Sequence, residues 1–79
     1  MTHTPEQIAQ IARGLNLTKS DFLCRVVDGK PLRLADRLED RARQSLRRLG
    51  LVEYAGKPKR WQATVSGLAV RQYLMEQQP

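Results

Sequence analysis

Cysteine and histidine, which most often build metal and redox sites, are almost absent from this 79-residue chain, which has one of each. Cys24 has no second cysteine with which to form an internal disulfide, and we expect it to be a buried structural thiol. A zinc site takes about four ligands, so these counts exclude a Cys/His zinc cluster. His3 precedes the first predicted helix, in an N-terminus that we expect to fray, and we assign it no role.

Long apolar runs are also missing, since the longest ones contain two or three residues. A signal peptide needs an apolar run of about 7–15 residues, and a transmembrane helix needs about 20. We therefore expect no membrane segment and a small cytoplasmic protein of bacterial or phage type. We also expect a single domain, because two cores of about 40 residues each would usually need disulfides or metals.

The sequence lacks the residue combinations on which catalysis depends. It shows no nucleophile–base pair, no paired carboxylates in an apolar setting and no glycine-rich phosphate loop. A small core also leaves little room for a cofactor pocket of a few hundred cubic ångströms. We therefore expect no enzymatic activity, no cofactor, no metal and no small-molecule ligand.

Positive charge is present in excess and is concentrated in one part of the chain. The net charge is +6, from 14 basic and 8 acidic residues, and residues 33–60 contain nine of the basic and four of the acidic ones. That segment therefore carries +5 of the total. Such a concentration predicts a face that binds a polyanion, whereas the alternative is an ordinary solvated helix surface.

Two capped helices are predicted in the first third of the chain. Thr4 and Gln7 have the spacing of a capping box, and Gly14 is a helix stop. A second helix is predicted to begin at Thr18 and to end at Gly29. A very short strand is predicted at residues 32–34.

A longer helix is predicted over residues 34–49, followed by a stop at Gly50. Its apolar residues fall within a sector about 120° wide, which predicts a core-facing stripe. These residues are Leu34, Leu38, Ala42, Leu46 and Leu49. On the outer side, Glu39 and Arg43 have the i, i+4 spacing of a helix-stabilising ion pair.

A second stripe lies beside the apolar one. It spans a sector of about 60° around the helix axis, and no acidic residue interrupts it. This basic stripe consists of Arg37, Arg41, Gln44 and Arg48. Arginine can donate two hydrogen bonds to guanine, and glutamine can pair in a bidentate manner with adenine. Gln44 is therefore our candidate for reading a base, with a plain surface position as the alternative.

A β-hairpin is predicted after Gly50, with strands near 51–55 and 60–63. We expect Trp61 to pack on the core, with Tyr54 as its partner across the strands, rather than to stack on a nucleotide base. Thr64 then caps a last helix.

The order of these elements resembles the winged helix-turn-helix family of prokaryotic DNA-binding proteins. The residues that carry the resemblance are a basic helix ending in Gly50-Leu51-Val52, the short basic hairpin, and Thr64-x-x-Gly67. The resemblance covers roughly residues 32–67 and the helix before them. It implies an α+β fold with three to four helices and a two-stranded wing, in which the helix before Gly50 recognises DNA. The implied segments are an N-terminal extra helix (1–17), a helical core (18–49), a wing hairpin (50–63) and a C-terminal helix (64–77).

The predicted helix-turn-helix is shorter than the roughly 20 residues that the motif normally needs. Either a short helix over 34–38 turns near residues 39–40 into a recognition helix over 40–49, or 34–49 is one helix. In the second interpretation, which the unbroken apolar stripe favours, residues 20–27 supply the preceding partner helix. The two N-terminal helices are a further candidate for the motif, although their local charge is almost neutral.

Our functional hypothesis is a small transcriptional regulator that binds duplex DNA without a separate effector domain. The alternative is a protein–protein interaction module of the same fold, such as a phage or plasmid accessory factor. The candidate DNA contacts are Arg37, Arg41, Arg43, Gln44, Arg47, Arg48, Lys57, Lys59 and Arg60. A homodimer through the C-terminal helix, at Tyr73, Leu74 and Met75, is also possible.

Overall fold

The fold is α+β, with helices at both ends of the chain and a β-hairpin near its C-terminal third. A computed structural model describes residues 3–32 and 36–77, and over these residues it shows four helices and one two-stranded antiparallel sheet. The elements are α1 (Pro5–Gly14), α2 (Leu17–Asp28), α3 (Arg37–Arg48), β1 (Val52–Ala55), β2 (Arg60–Ala63) and α4 (Val65–Glu76). Within the described ranges, no helix has the length and apolar content needed to cross a membrane.

The helix starts follow from side-chain caps. The predicted capping box of α1 is confirmed, because the Gln7 N–H donates to Thr4 Oγ1 at 3.2 Å and the Thr4 N–H donates to Gln7 Oε1 at 2.9 Å. The predicted cap of α2 is wrong by two residues. Asn16 rather than Thr18 accepts the hydrogen bond, from the Lys19 N–H at 2.8 Å, since asparagine is at least as good an N-cap as threonine. Gly29 ends α2 in the left-handed region, as predicted.

The basic helix α3 begins at Arg37 and continues without a break to Arg48. Asp36 caps it by accepting the Glu39 N–H at 2.8 Å, so the predicted turn near residues 39–40 is wrong and the single-helix interpretation holds from Arg37 onward. The expected partner is confirmed, because α3 packs against α2. Leu34 lies outside the described residues, as does most of the short strand predicted at 32–34.

The face that α3 turns toward the core differs from the predicted one. Ala42 and Leu46 are buried as expected, but Leu38 is 65% exposed and Leu49 is also exposed. Glu39, which was predicted on the outer surface, is only 4% exposed. At about 100° per residue, the buried direction is rotated by about 50° from the predicted apolar stripe.

An aromatic contact explains why α3 adopts this rotation. The guanidinium carbon of Arg43 lies 5.4 Å from the centroid of the Phe22 ring, so the α3 side chain that meets this ring is a cation with an apolar stem. The Phe22 and Trp61 rings are nearly perpendicular with centroids 5.6 Å apart, and the Trp61 and Tyr54 centroids are 5.3 Å apart. The predicted packing of Trp61 and its pairing with Tyr54 are therefore confirmed.

The core is small and draws on all four described helices and on the start of the hairpin. Its buried residues are Ile8, Ala12, Phe22, Leu23, Leu46, Leu51, Val52 and Val70. Cys24 is a free thiol and is half-buried, which is less than expected.

The hairpin and α4 are joined by a close backbone contact. The Thr64 N–H donates to the Leu51 carbonyl oxygen at 3.0 Å, and the Thr64 hydroxyl donates to the Gly50 carbonyl. The Gly67 N–H donates to Thr64 Oγ1 at 3.1 Å. A Cβ atom at Gly67 would lie 2.0 Å from the Leu51 oxygen, so this helix position requires glycine.

His3 lies against the first turn of α4 rather than in a frayed end. Its Nδ1 is 2.7 Å from the hydroxyl oxygen of Ser66, which is itself buried. The expectation that His3 lies in a frayed N-terminus is therefore wrong, because this contact ties the segment before α1 to α4.

Candidate nucleic-acid interface

The basic stripe lies on the outer face of α3. Arg37, Arg41 and Arg48 are exposed, and Gln44 is half-buried among them. The direction of the stripe is about 160° from that of the buried side chains of the same helix. The structure therefore brings the four predicted residues together and points them away from the core, rather than along its edge.

The cations of this stripe have no acidic partner within the part of the chain that the structure describes. Ion pairs in the described ranges involve other residues, such as Arg25 with Asp21 at 2.9 Å and Arg71 with Asp28 at 2.9 Å. Because Arg37, Arg41 and Arg48 are not neutralised by these pairs, their guanidinium groups are available to an external anion.

Two other predicted contacts on α3 lie off the stripe. Arg43 is half-buried, its guanidinium packs on Phe22 and its Nε atom is buried, so it supports the core and is less accessible to DNA than the arginines of the stripe. Arg47 is exposed but lies about 90° around the helix from the centre of the stripe, on the same side as Arg43. Its position fits a contact at the edge of the interface.

An open groove of about 460 Å³ runs between the start of α2 and the outer face of α3. We call it the α2–α3 groove. On the α3 side it is lined by Arg41, Gln44 and Arg48, and on the α2 side by Lys19 together with Asn16 and Thr18. Three cations therefore line it against one acidic residue, Asp40.

Lys19 is a candidate residue that the sequence did not single out. It lies in the part of the chain whose local charge is almost neutral, and no linear pattern connects it with residues 41–48. Packing of α2 on α3 makes it a neighbour of the basic stripe. The sequence signal that could have identified Lys19 was its position in the first turn of α2, just after the Asn16 cap.

The hairpin presents a second cluster of cations, the wing tip, which consists of Lys57, Lys59 and Arg60. All three are exposed, and the strand register places Arg60 opposite Ala55 at the end of the sheet. Trp61 contacts the rings of Phe22 and Tyr54 and packs against the core, so it anchors the hairpin to α2.

The described ranges contain no cluster of three or more histidine, cysteine, aspartate or glutamate residues that could hold a metal ion. The C-terminal helix exposes Met75, whereas Tyr73 and Leu74 pack partly against the core. Of the three residues expected at a dimer contact, one is therefore on the surface.

Comparison of the chain with known proteins identifies no relative. No protein-family model matches the chain, and no curated protein or solved structure matches it significantly. The functional conclusion therefore depends on the geometry of the basic stripe, the α2–α3 groove and the wing tip.

Proposed function

We propose that this protein binds duplex DNA as a small winged-helix transcriptional regulator of the bacterial or phage cytoplasm. The observation that carries the proposal is the basic stripe, which is exposed, faces away from the core and has no acidic partner among the described residues. In this arrangement α3 is the recognition helix and the hairpin is the wing.

The dimensions of α3 suit this role. Its 12 residues give a helix about 18 Å long, and the major groove of B-DNA is about 12 Å wide, which admits one α-helix. Arg37, Arg41 and Arg48 would contact phosphates or guanine edges, and Gln44 would contact a base from the centre of the stripe. The wing tip would follow the sugar–phosphate backbone.

The proposed contact set is smaller than the predicted one, because Arg43 is committed to Phe22. The remaining residues are Arg37, Arg41, Gln44, Arg47, Arg48, Lys57, Lys59 and Arg60. With about 4–6 of these on phosphates, the logarithm of the binding constant should fall with the logarithm of salt concentration with a slope of about −4 to −5.

The test is a fluorescence-anisotropy titration with random-sequence duplex DNA between about 50 and 200 mM salt. Arg41→Ala should weaken binding to all sequences and flatten the salt slope by about one unit. Arg13→Ala is the matched control, because it removes the same charge from an exposed position on α1. Lys59→Ala should behave like Arg41→Ala if the wing contacts the backbone.

Base recognition is tested separately by selecting preferred sites from a random duplex pool. Gln44→Ala should change the preference between sequences by about 1–3 kcal/mol and should keep the salt slope, whereas the exposed Gln10→Ala control should change neither. If the parent protein does not bind duplex DNA at low salt, or if binding is insensitive to salt, the proposal is wrong. The basic stripe would then fit an acidic protein surface, as in the alternative hypothesis.

The same proposal includes a homodimer that would let two copies bind adjacent half-sites. The exposed large apolar residues of α4 are Val65, Leu68 and Met75, which makes this side of the helix the candidate contact in place of Tyr73 and Leu74. Sedimentation equilibrium of the parent and of Met75→Glu tests it, and a monomer at all concentrations would exclude it.

A further inference from the structure

The α2–α3 groove brings side chains from two helices around one open space. Lys19 approaches it from α2, and Arg41 and Arg48 approach it from α3. None of these three cations forms an ion pair with another residue in the ranges 3–32 and 36–77. Arg25, the other basic residue of α2, is by contrast held by Asp21 at 2.9 Å and by the Pro31 carbonyl at 3.1 Å.

We propose that the α2–α3 groove binds one phosphate of the DNA backbone, held between Lys19 on one side and Arg41 and Arg48 on the other. The inference rests on the proposed function and extends it from α3 and the wing to α2. A phosphodiester is the chemistry that fits, because it carries one negative charge and two free oxygens that accept hydrogen bonds from ammonium and guanidinium groups. The groove is open, as a site for a chain of phosphates must be, and its three cations outnumber the one acidic residue, Asp40.

Side chains rather than backbone amides supply the contacts. The N–H of Lys19 is already bonded to the Asn16 side chain at 2.8 Å, so the first turn of α2 is capped from within the protein. The ammonium group of Lys19 is the part of α2 that remains available. Its partner cations are on the helix that we propose enters the major groove, so the phosphate bound here belongs to a strand that borders that groove.

A phosphate held between two packed helices fixes the position of the protein on DNA. Phosphate contacts set register and orientation, whereas base contacts set the sequence preference. Gln44 lines the same groove as Lys19, so the bound phosphate determines how the Gln44 amide meets a base edge. Lys19 is therefore a positioning residue for base recognition, in addition to contributing affinity.

The experiment compares Lys19→Ala with Lys30→Ala, an exposed lysine in the connection after α2 that gives the same loss of charge. Each phosphate contact contributes about 0.9 to the salt slope. Over the tenfold change from 1 M to 0.1 M salt, one contact therefore raises the binding constant about eightfold. We expect Lys19→Ala to bind duplex DNA about eightfold more weakly at 0.1 M salt and to flatten the slope by about 0.9. Lys30→Ala should change neither quantity, and Lys19→Arg should restore both.

Two further measurements test the shared site and the positioning role. The double variant Lys19→Ala, Arg41→Ala should bind more tightly than the product of the two single losses predicts, because both residues act on one phosphate. Lys19→Ala should also reduce the ratio of the affinities for selected and random duplexes. Loss of a residue that contributes only charge would leave this ratio unchanged. Additive losses with an unchanged preference would overturn the proposal.

The outcomes separate this inference from the proposed function. If the parent does not bind duplex DNA, both are wrong. If the parent binds and Arg41→Ala weakens binding, but Lys19→Ala matches Lys30→Ala, the groove proposal alone is wrong. Inorganic phosphate should displace DNA no better than chloride at equal ionic strength, and stronger displacement would identify a site for free phosphate instead.

Discussion

Replacing Gly67 with alanine tests the closest contact in the fold. In the present structure the added Cβ atom would lie 2.0 Å from the Leu51 carbonyl oxygen, and real Cβ atoms keep at least about 3.0 Å from such neighbours. The neighbour is backbone rather than the end of a flexible side chain, so relief requires α4 to withdraw by about 1 Å. That movement strains the Thr64 N–H bond to the same oxygen.

Three effects determine the size of the change in unfolding free energy. Overpacking costs about 1–3 kcal/mol, and weakening the hydrogen bond to a buried carbonyl costs a further 1–3 kcal/mol or so. Alanine opposes these losses by about 1 kcal/mol, because it is the better helix former. We therefore expect Gly67→Ala to destabilise the protein by about 3 kcal/mol, within a range of about 1–5 kcal/mol, and the central value corresponds to a decrease in Tm of about 12–24 °C for a domain of this size.

The assay is a thermal melt followed by circular dichroism at 222 nm, with Gly14→Ala as the matched control. Gly14 is also a helical glycine, but nothing lies within 4 Å of a Cβ atom placed there. Gly14→Ala should therefore leave Tm unchanged or raise it, because alanine adds up to about 1 kcal/mol to the unfolding free energy. If Gly67→Ala melts at or above the parent temperature, α4 does not approach Leu51 as closely as described, and the reasoning is refuted.

Three other predictions follow from the orientation of α3. Leu46→Ala should lower the unfolding free energy by about 2–5 kcal/mol in a urea titration, because Leu46 is buried. Leu38→Ala should lower it by less than about 0.5 kcal/mol, because Leu38 is exposed, and equal losses would contradict the orientation of α3. Glu39→Met should raise the unfolding free energy by about 1 kcal/mol, because the buried Glu39 Oε1 atom has no partner in the described residues. The measurement is a thermal melt, and a clear decrease in Tm would show that the carboxylate is stabilising. Arg43→Ala should lower Tm through loss of its contact with Phe22 and should bind DNA like the Arg13→Ala control; a flattened salt slope would return Arg43 to the interface.

The helix ends and the hairpin were predictable from sequence because their signals are local. The Thr4 cap, the Gly29 stop and the Thr64 cap each depend on residues within a few positions of the helix end. The hairpin required alternation over two short segments separated by a turn. Where a competing local signal was present, as at Asn16 beside Thr18, the prediction missed the helix start by two residues.

The rotation of α3 was not predictable in this way, because it depends on what packs against the helix. Spacing alone made Leu38 a core residue, but the face next to Phe22 is occupied by Arg43, whose stem and guanidinium cover the ring. The α2–α3 groove was missed for the same reason. Charge was counted along the chain, whereas Lys19 joins Arg41 through packing of two helices.

The orientation of α3 also connects stability with the proposed function. With the predicted apolar stripe facing the core, the basic stripe would have lain about 110° from the core direction, near the edge of the packed surface. In the structure Glu39 points inward and its Oε1 atom has no partner among the described residues, which lowers stability, while the basic stripe lies about 160° from the buried direction and faces outward. Exposure of Leu38, which lines the α2–α3 groove, is the other consequence of the same rotation. A helix arranged only for a stable core would bury the leucine and expose the glutamate, so this arrangement is the one expected if the outer face of α3 is under selection to bind an anion.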